Sequence, residues 1–134
     1  MFEELLELGN NSYSPYSHFR VAAIVVMKDG KEFRGVNVEN ASYGAAICAE
    51  RSAILSAISA GYKKGDIKEL HVMCLDSKTI STPCFMCRQV ISELFDKDTI
   101  VTLYNNSGET KKYKVSELCP YPFNEDDLKW NQDL

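Results

Sequence analysis

The chain has 134 residues, of which 45% are hydrophobic and 25% charged, and its formal net charge is −4 at pH 7. This composition is typical of a globular protein, and the length predicts a single domain over residues 1–134. The acidic balance argues against a nucleic-acid partner, because a surface that binds a phosphate backbone usually carries a basic stripe. A small, uncharged ligand is compatible with it.

The sequence contains no segment typical of a membrane protein or of a secretory signal. Its longest strongly apolar run, Val21 to Met27, is far shorter than a bilayer crossing. The first residues include acids where a signal peptide carries positive charge. We therefore expect a cytoplasmic protein with no membrane partner. Disulfides are rare in that compartment, so the five cysteines favour metal or redox chemistry.

The first half of the chain predicts a short helix, a β-hairpin and a longer helix. The expected segments are a helix over residues 2–8, strands over 19–27 and 31–37, and a helix over about 48–60. The first strand is β-branched and apolar, and Asp29-Gly30 is a hairpin-turn sequence. The longer helix contains good helix formers and ends before Gly61, a residue type common after helix C-termini.

The second half predicts strands that alternate with a helix. The expected segments are a strand over residues 69–75, a helix over 83–95, strands over 99–104 and 110–115, and a short C-terminal helix. Pro83 suits the first turn of its helix, and Asn106-Ser107-Gly108 suits a tight turn between two antiparallel strands. The fold predicted from this order is a three-layer α/β/α sandwich with one five-stranded mixed sheet.

Both longer helices begin at cysteines. Cys48 stands at the start of one, and Cys84 and Cys87 are expected in the first turn of the other. A helix N-terminus carries about half a positive charge, which lowers the pKa of a nearby thiol. Three protein ligands and a water form a typical catalytic zinc site, so the pattern predicts one Zn²⁺ per chain.

A structural zinc site is an alternative, and it needs a fourth ligand. The candidates are Cys74, Cys119, His18 and His71. Both cysteines resemble buried core residues, and His71 is expected to be a hydrogen-bonded structural histidine in the third strand. A redox C-x-x-C motif is a second alternative, and it leaves Glu50 without a role.

Glu50 favours the catalytic interpretation. It follows Cys48 by two residues and lies in the first helical turn, where its carboxylate can face the metal. Taken alone, it would be an exposed acid that the helix dipole stabilises by about 0.3–1 kcal/mol. A structural site has no use for a carboxylate at an open metal position, whereas a hydrolytic site uses one to move protons.

Several motifs in this chain resemble the small tetrameric cytidine deaminases. The zinc-deaminase signature, (H/C)-x-E followed by P-C-x-x-C, stands here as CAE at 48–50 and PCFMC at 83–87. The stretches YSPYSHF, GVNVENASYG and CRQVISEL extend the resemblance over nearly the whole chain. Cysteine rather than histidine as the first ligand is typical of the branch that acts on free nucleosides.

The resemblance implies a cytidine deaminase-like fold and zinc-dependent hydrolysis of cytidine and 2′-deoxycytidine to uridine and 2′-deoxyuridine plus ammonia, in pyrimidine salvage. It implies that Glu50 carries protons from water to ring N3 and then to the leaving amine. Arg51 resembles the family arginine that hydrogen-bonds the zinc thiolates and offsets their charge.

The resemblance also assigns substrate contacts within the chain. Phe19 corresponds to the residue that packs near base and sugar, and Asn37 and Glu39 correspond to those that hold the ribose 3′-hydroxyl. Backbone groups at Ala49 and Cys84 would read the pyrimidine edge.

Three further positions imply that sites are shared between subunits. Ala41 and Tyr43 match residues that reach a neighbouring subunit's site, and Phe123 resembles the C-terminal phenylalanine that closes over the base from another subunit. The resemblance therefore implies a homotetramer.

The chain departs from the family pattern at a few positions. Phe85 occupies a place usually held by glycine, and Ala22 and Cys119 also differ. Because Phe85 lies between two ligands, its ring is expected to narrow the pocket or repack the loop. Two alternatives therefore stay open: a deaminase of a modified or antibiotic cytosine nucleoside, and a catalytically inactive zinc-stabilised module.

Overall fold

The structure, a computed structural model, describes residues 1–133. Its helices are α1 (Phe2–Gly9), α2 (Ala49–Ser59), α3 (Phe85–Leu94) and α4 (Val115–Leu118). Its strands are β1 (Val21–Met27), β2 (Glu32–Val36), β3 (Ile67–Cys74), β4 (Ile100–Tyr104) and β5 (Thr110–Lys114). Short 3₁₀ segments cover Tyr43–Ala45 and Glu125–Asp133.

The five strands form one mixed sheet in the order β2-β1-β3-β4-β5. β1 is antiparallel to β2 and β3, β4 is parallel to β3, and β5 returns antiparallel to β4. A parallel pair needs a crossover connection, and α3 lies in the connection between β3 and β4. The edge strand β5 carries three exposed lysines, Lys111, Lys112 and Lys114.

Helices cover both faces of the sheet. Alternate residues of β1 point to opposite faces: Ala23 and Val25 join the core that contains α2 and α3, whereas Ala22 and Ile24 pack against Leu5 of α1. This alternation explains why β1 is apolar nearly throughout. The predicted three-layer α/β/α sandwich is therefore confirmed.

The helix bounds differ from the expected ones where the chain caps a helix. Cys84, expected inside the first turn, is the N-cap of α3 and has an extended backbone, so Pro83 lies outside that helix. Cys48 is likewise the N-cap of α2. The N-cap position places both sulfur atoms at the helix ends rather than along the helix sides.

The region after β5 also differs from the prediction. The strand expected to reach residue 115 ends at Lys114, and α4 follows at once. Val115 and Leu118 bury one side of this turn, and the Lys114 N–H donates to Glu117 Oε1 at 2.8 Å, a helix-capping bond. The short C-terminal helix that we expected is the 3₁₀ segment Glu125–Asp133.

Over the described part of the chain, no helix is both long and apolar enough to cross a membrane.

Gly35 of β2 lies directly beneath the first turns of α2. A Cβ at this position would clash with the backbone N of Ala53 and lie 2.7 Å from the carbonyl oxygen of Ala49. These are backbone atoms of the helix and cannot move without it. The missing side chain therefore lets the start of α2, with Cys48 and Glu50, approach the sheet.

We predict that Gly35→Ala lowers the free energy of unfolding by about 1–3 kcal/mol, the usual cost of overpacking. The variant should also bind less metal, because the added methyl group displaces the start of α2. Denaturant unfolding and metal analysis measure the two effects. Gly44→Ala is the control, since a Cβ there has no neighbour within 4 Å. Equal stability of the two variants would contradict the prediction.

Candidate metal centre and active site

The N-termini of α2 and α3 bring three cysteines to one place. The sulfur atoms of Cys48 and Cys84 lie 3.7 Å apart, and all three sulfurs, including that of Cys87, lie within 4.8 Å of one another. Cys87 follows Cys84 by three residues, so the two share one side of the first turn of α3. Among the side chains that the structure describes, this is the one group of three or more potential metal ligands.

The geometry fits a zinc ion. Tetrahedral zinc with Zn–S bonds of about 2.3 Å holds its sulfurs about 3.8 Å apart, close to the observed 3.7 Å separation of Cys48 and Cys84. Thiolates are soft ligands that suit this metal. The candidates for a fourth ligand do not join the group in the described chain, so the three cysteines leave one coordination position open.

Charge at the three thiols is unevenly distributed. Hydrogen bonds from Cys87, Arg51 and Cys84 lower the pKa of Cys48 to about 5. The hydrogen bond to Cys48, together with burial, raises the pKa of Cys87 above its ordinary value. Cys48 therefore loses its proton readily, whereas Cys87 holds its proton tightly. A cation bound between the two sulfurs would stabilise the thiolate form of both.

Arg51 supplies part of that positive charge. Its Nη2 donates to the sulfur of Cys48 at 3.5 Å, from three residues further along α2. Its Nε is buried and has no hydrogen-bond partner among the described residues. The hydrogen bond to Cys48 thus places Arg51 beside the thiols, the position that the resemblance implied.

Glu50 lies in the first turn of α2 and is 5% exposed. Burial raises the pKa of its carboxyl to about 7, and the negative charge of Cys48 acts in the same direction. A carboxyl with a pKa near the working pH both accepts and releases protons readily. Glu50 thus has the proton affinity of a general acid–base group.

A cavity of about 230 Å³ opens beside the thiols. Of the residues predicted to form the site, it is lined by Phe19, Asn37, Cys48, Ala49, Glu50 and Cys84. Two groups of lining residues were not predicted from the sequence: an apolar floor of Val21, Val72 and Cys74, and a wall made by residues 81–83. The wall follows the C-terminal end of β3, where ligand sites in sheets with parallel strands lie, and that rule would have identified it.

His71 and the two remaining cysteines lie outside the metal cluster. His71 lies buried in β3, and its Nδ1 is 2.9 Å from the Tyr104 hydroxyl, which confirms the structural role predicted for it. Cys74 is buried, as predicted, although its side of β3 also reaches the cavity. Cys119 packs against the core at the end of α4.

Residues 1–103 match the family model described as the cytidine and deoxycytidylate deaminase zinc-binding region. The chain belongs to the cytidine and deoxycytidylate deaminase family. It is therefore a zinc-binding deaminase domain, and its three clustered cysteines are the side chains able to hold the ion.

Relatives and solved structures agree with this membership. The cytidine deaminase of Halalkalibacterium halodurans is 42% identical over 128 residues, which cover 96% of this chain and 95% of that protein. The probable cytidine deaminase of Dictyostelium discoideum is 39% identical over 130 residues, 94% of this chain and 86% of that one. A crystal structure of cytidine deaminase from Burkholderia pseudomallei superposes with a TM-score of 0.84 at 39% identity, covering 92% of this chain and 99% of that chain.

Asn37 organises one side of the deaminase cavity. Its Oδ1 accepts hydrogen bonds from the Val21 N–H at 2.9 Å and from the Ser12 hydroxyl, and its Nδ2 donates to the Phe19 carbonyl at 2.7 Å. The amide therefore holds the backbone of Phe19 and the start of β1 in place. Phe19 itself is partly exposed at the cavity.

Glu39 lies outside the deaminase cavity. Its carboxylate accepts hydrogen bonds from the N–H groups of Tyr16 and Ser17 at 3.0 and 3.1 Å, and from the Ser17 hydroxyl. The hydrogen bond from the Ser17 hydroxyl lowers the pKa of Glu39 most. Glu39 thus fixes the turn that leads to Phe19.

The residues matched to neighbouring subunits do not reach the cavity of their own chain. Tyr43 is 82% exposed, Ala41 is exposed, and Phe123 is 57% exposed on the outer side of α3. Gln89 Nε2 holds this last segment by donating to the Phe123 carbonyl at 2.7 Å.

Phe85 does not narrow the deaminase cavity, contrary to our expectation. Its side chain is 78% exposed, points away from the cavity and lies 4.6 Å from the guanidinium of Arg88. Phe85 occupies the first helical position of α3, which directs its ring outward. The sulfurs of Cys84 and Cys87 turn inward.

We predict a pH-dependent difference in stability between this chain and Glu50→Gln after treatment with a chelator. A carboxyl whose pKa rises from 4.5 to about 7 on folding stabilises the fold fully below pH 4.5, and that contribution is lost as the pH rises through 7. Glutamine does not ionise. Relative to the native chain, the variant should gain about 2–3 kcal/mol between pH 5 and pH 8.

Guanidinium unfolding at both pH values measures this difference, which includes the coupling of Glu50 to Cys48 and Cys87. A gap between the two proteins that does not change with pH would show that the pKa of Glu50 is not raised.

Proposed function

We propose that this chain is a zinc-dependent hydrolase that converts cytidine and 2′-deoxycytidine, with water, into uridine and 2′-deoxyuridine plus ammonia. One observation carries the proposal: a buried glutamate, whose pKa is raised to about 7, lines the same cavity as Cys48 and Cys84, two of three thiols spaced for zinc. The 42% identity to a cytidine deaminase over 96% of the chain supports the choice of substrate.

The metal-binding role falls to Cys48, Cys84 and Cys87. Zinc bound to them would supply Lewis-acid chemistry, lowering the pKa of water. The positive charge of Arg51, 3.5 Å from Cys48, offsets part of the negative charge of the thiolates. The N-termini of α2 and α3 act in the same direction.

Glu50 is proposed as the one group that moves protons. Its carboxylate accepts a proton from water as the water oxygen bonds to C4, and donates that proton to ring N3. It then carries the second proton of the same oxygen to the amine, which leaves as ammonia as the C4–N bond breaks. A single carboxylate can perform all three transfers because its pKa lies near neutrality, so neither protonation state is costly. The burial of Glu50 keeps bulk water from competing for these protons.

The nucleoside is proposed to lie between Phe19 and the wall at residues 81–83. The Phe19 ring packs against base and sugar, and the backbone of Ala49 and Cys84 reads the pyrimidine edge. Asn37 reaches the sugar from the cavity side, and Glu39 does so by exchanging its hydrogen bond with Ser17 for one with the 3′-hydroxyl.

A homotetramer with shared sites is part of the proposal. Several large apolar residues on and near α2 and α3 are exposed, among them Tyr43, Leu55, Phe85, Met86 and Phe123. Such a surface is typical of an interface between copies. Tyr43 and Phe123 do not reach their own cavity, so their assigned contacts need a neighbour.

Phe85 no longer favours an unusual substrate. The modified-nucleoside alternative depended on this ring entering the cavity, and it lies outside. A free nucleoside of the pyrimidine salvage reactions therefore remains the proposed substrate.

We predict that the purified protein deaminates both nucleosides and holds about one zinc per chain, as expected for a single three-ligand site. Glu50→Gln should keep the zinc but lose about 10²–10⁴-fold in kcat, because glutamine accepts no proton. Ultraviolet absorbance follows the reaction, and Glu93→Gln, an exposed carboxylate on α3, is the control. Zinc without turnover of either nucleoside would favour the inactive module, and full activity of Glu50→Gln would exclude the assigned role.

Shared sites predict complementation between two defective variants. Phe123→Ala and Glu50→Gln should each be nearly inactive at low substrate. When they are mixed and reassembled, some sites combine an intact Glu50 with an intact Phe123 from a different subunit, and activity should recover. Sedimentation measures the assembly, and fully exposed Tyr121→Ala is the control for Phe123→Ala. If activity does not recover although mixed tetramers form, Phe123 does not act across subunits.

A further inference from the structure

Arg88 of α3 uses its whole guanidinium to hold the chain in front of the metal-binding cysteines. Its Nε donates to the Pro83 carbonyl at 2.8 Å, its Nη2 to the Thr82 hydroxyl at 2.8 Å, and its Nη1 to the Leu118 carbonyl at 3.1 Å. Three bonds from one planar group fix the relative positions of all three acceptors.

These acceptors connect the cavity to the core. Thr82 and Pro83 form the wall that lines the cavity and leads directly into Cys84. Leu118, at the end of α4, is buried against the hydrophobic core. Arg88 therefore ties an otherwise irregular wall to a rigid part of the molecule.

The wall has few other supports. Over residues 80–83, every hydrogen bond within the described chain comes from Arg88. Ser77 and Lys78, earlier in the same connection, are bonded instead to Asn105 and Asn106 beyond β4. The stretch next to the cavity thus depends on one side chain for its polar contacts.

Phe85 covers this arginine from outside. Its ring lies 4.6 Å from the guanidinium, close enough for a cation–π interaction, and shields one face of the planar group from water. An aromatic ring on the surface beside two metal-binding cysteines has a physical reason in this contact.

We propose that Arg88, steadied by Phe85, is a positioning residue that sets the Thr82–Pro83 wall and thereby the affinity for the nucleoside. Arg88 acts through the wall and does not touch the reacting atoms. The inference rests on the proposed function, since the wall is assigned to the nucleoside cavity. It accounts for Phe85 without placing that ring against the substrate.

A structural role alone would lower stability and leave substrate binding unchanged, so the test separates KM from kcat. Arg88→Lys keeps the charge but loses the planar fork. We expect KM for cytidine to rise about tenfold, the equivalent of one charge-assisted hydrogen bond at about 1.4 kcal/mol. We expect kcat to stay within about twofold, because Glu50 and the thiols are unchanged.

Thr82→Val tests the same contact from the wall and serves if Arg88→Lys fails to fold. It removes the acceptor of Nη2 without changing the size of the side chain. If Arg88 acts through Thr82, the double variant should raise KM no more than the larger single change. Phe85→Leu, which keeps an apolar cover but no aromatic face, should raise KM by a smaller factor than Arg88→Lys.

Arg34→Lys is the matched control, because Arg34 pairs only with Glu4 and Glu32 within the described chain. Each variant is also measured for zinc content, for melting temperature and for equilibrium binding of uridine by calorimetry. A weaker affinity for uridine that parallels the rise in KM supports the proposal and does not require turnover.

The outcomes are distinguishable. If the native protein deaminates cytidine and both wall variants keep its KM, the positioning role is wrong and the proposed function stands. Additive effects in the double variant, or a loss of zinc that parallels a loss of kcat, would also overturn the positioning role. If the native protein deaminates neither nucleoside, the proposed function fails, and unchanged uridine binding in the variants would refute the inference separately.

Discussion

Three sulfur atoms within 4.8 Å of one another are the arrangement on which the site depends, and two helix N-termini bring them there. Cys48 and Cys84 are both N-caps, so each stands at the positive end of a helix dipole. The sheet order sets this meeting, because the neighbours β1, β3 and β4 place α2 and α3 on the same face. Gly35 then allows α2 to lie close enough to the sheet for its first turn to reach the thiols.

The pKa shifts at the site arise because Glu50 and the thiols lie close together where water is excluded. Glu50 and three thiols share a small volume, and burial raises the pKa of the carboxyl while the thiols compete for the available hydrogen bonds. Arg51 compensates only part of the charge. The same crowding that makes the cluster costly without a cation gives Glu50 a proton affinity suited to reaction at neutral pH.

The sequence predicted the elements that periodicity and turn chemistry specify. Alternation of apolar residues and the Asp29-Gly30 turn located the first hairpin, and the cysteine spacing located the metal cluster. Other features depend on contacts that no local pattern encodes. Valine at position 115 is compatible with a strand or a helix. It is helical here because it is buried together with Leu118 on one side of α4. The outward direction of Phe85 depends on where α3 begins, one residue later than the cysteine that caps it.

The wall of the cavity was missed for a similar reason. Residues 81–83 belong to no repeating pattern, and they become part of the site only because Arg88 draws them toward the core. Tyr43 and Phe123, in contrast, were identified from the sequence but lie away from the cavity. Their family positions assign them a role that a single chain does not display, because neither reaches its own cavity.

The charged edges of the sheet also restrict how copies of this protein can associate. An incoming strand beside β5 would set its side chains about 5 Å from Lys111, Lys112 and Lys114, and a second copy of β5 would oppose like charges. At the other edge, β2 presents Glu32 and Arg34. Growth of the sheet into a fibre is therefore disfavoured at the β5 edge. The association of copies proposed above would then use the helical surface, because the lysines of β5 discourage pairing at that edge.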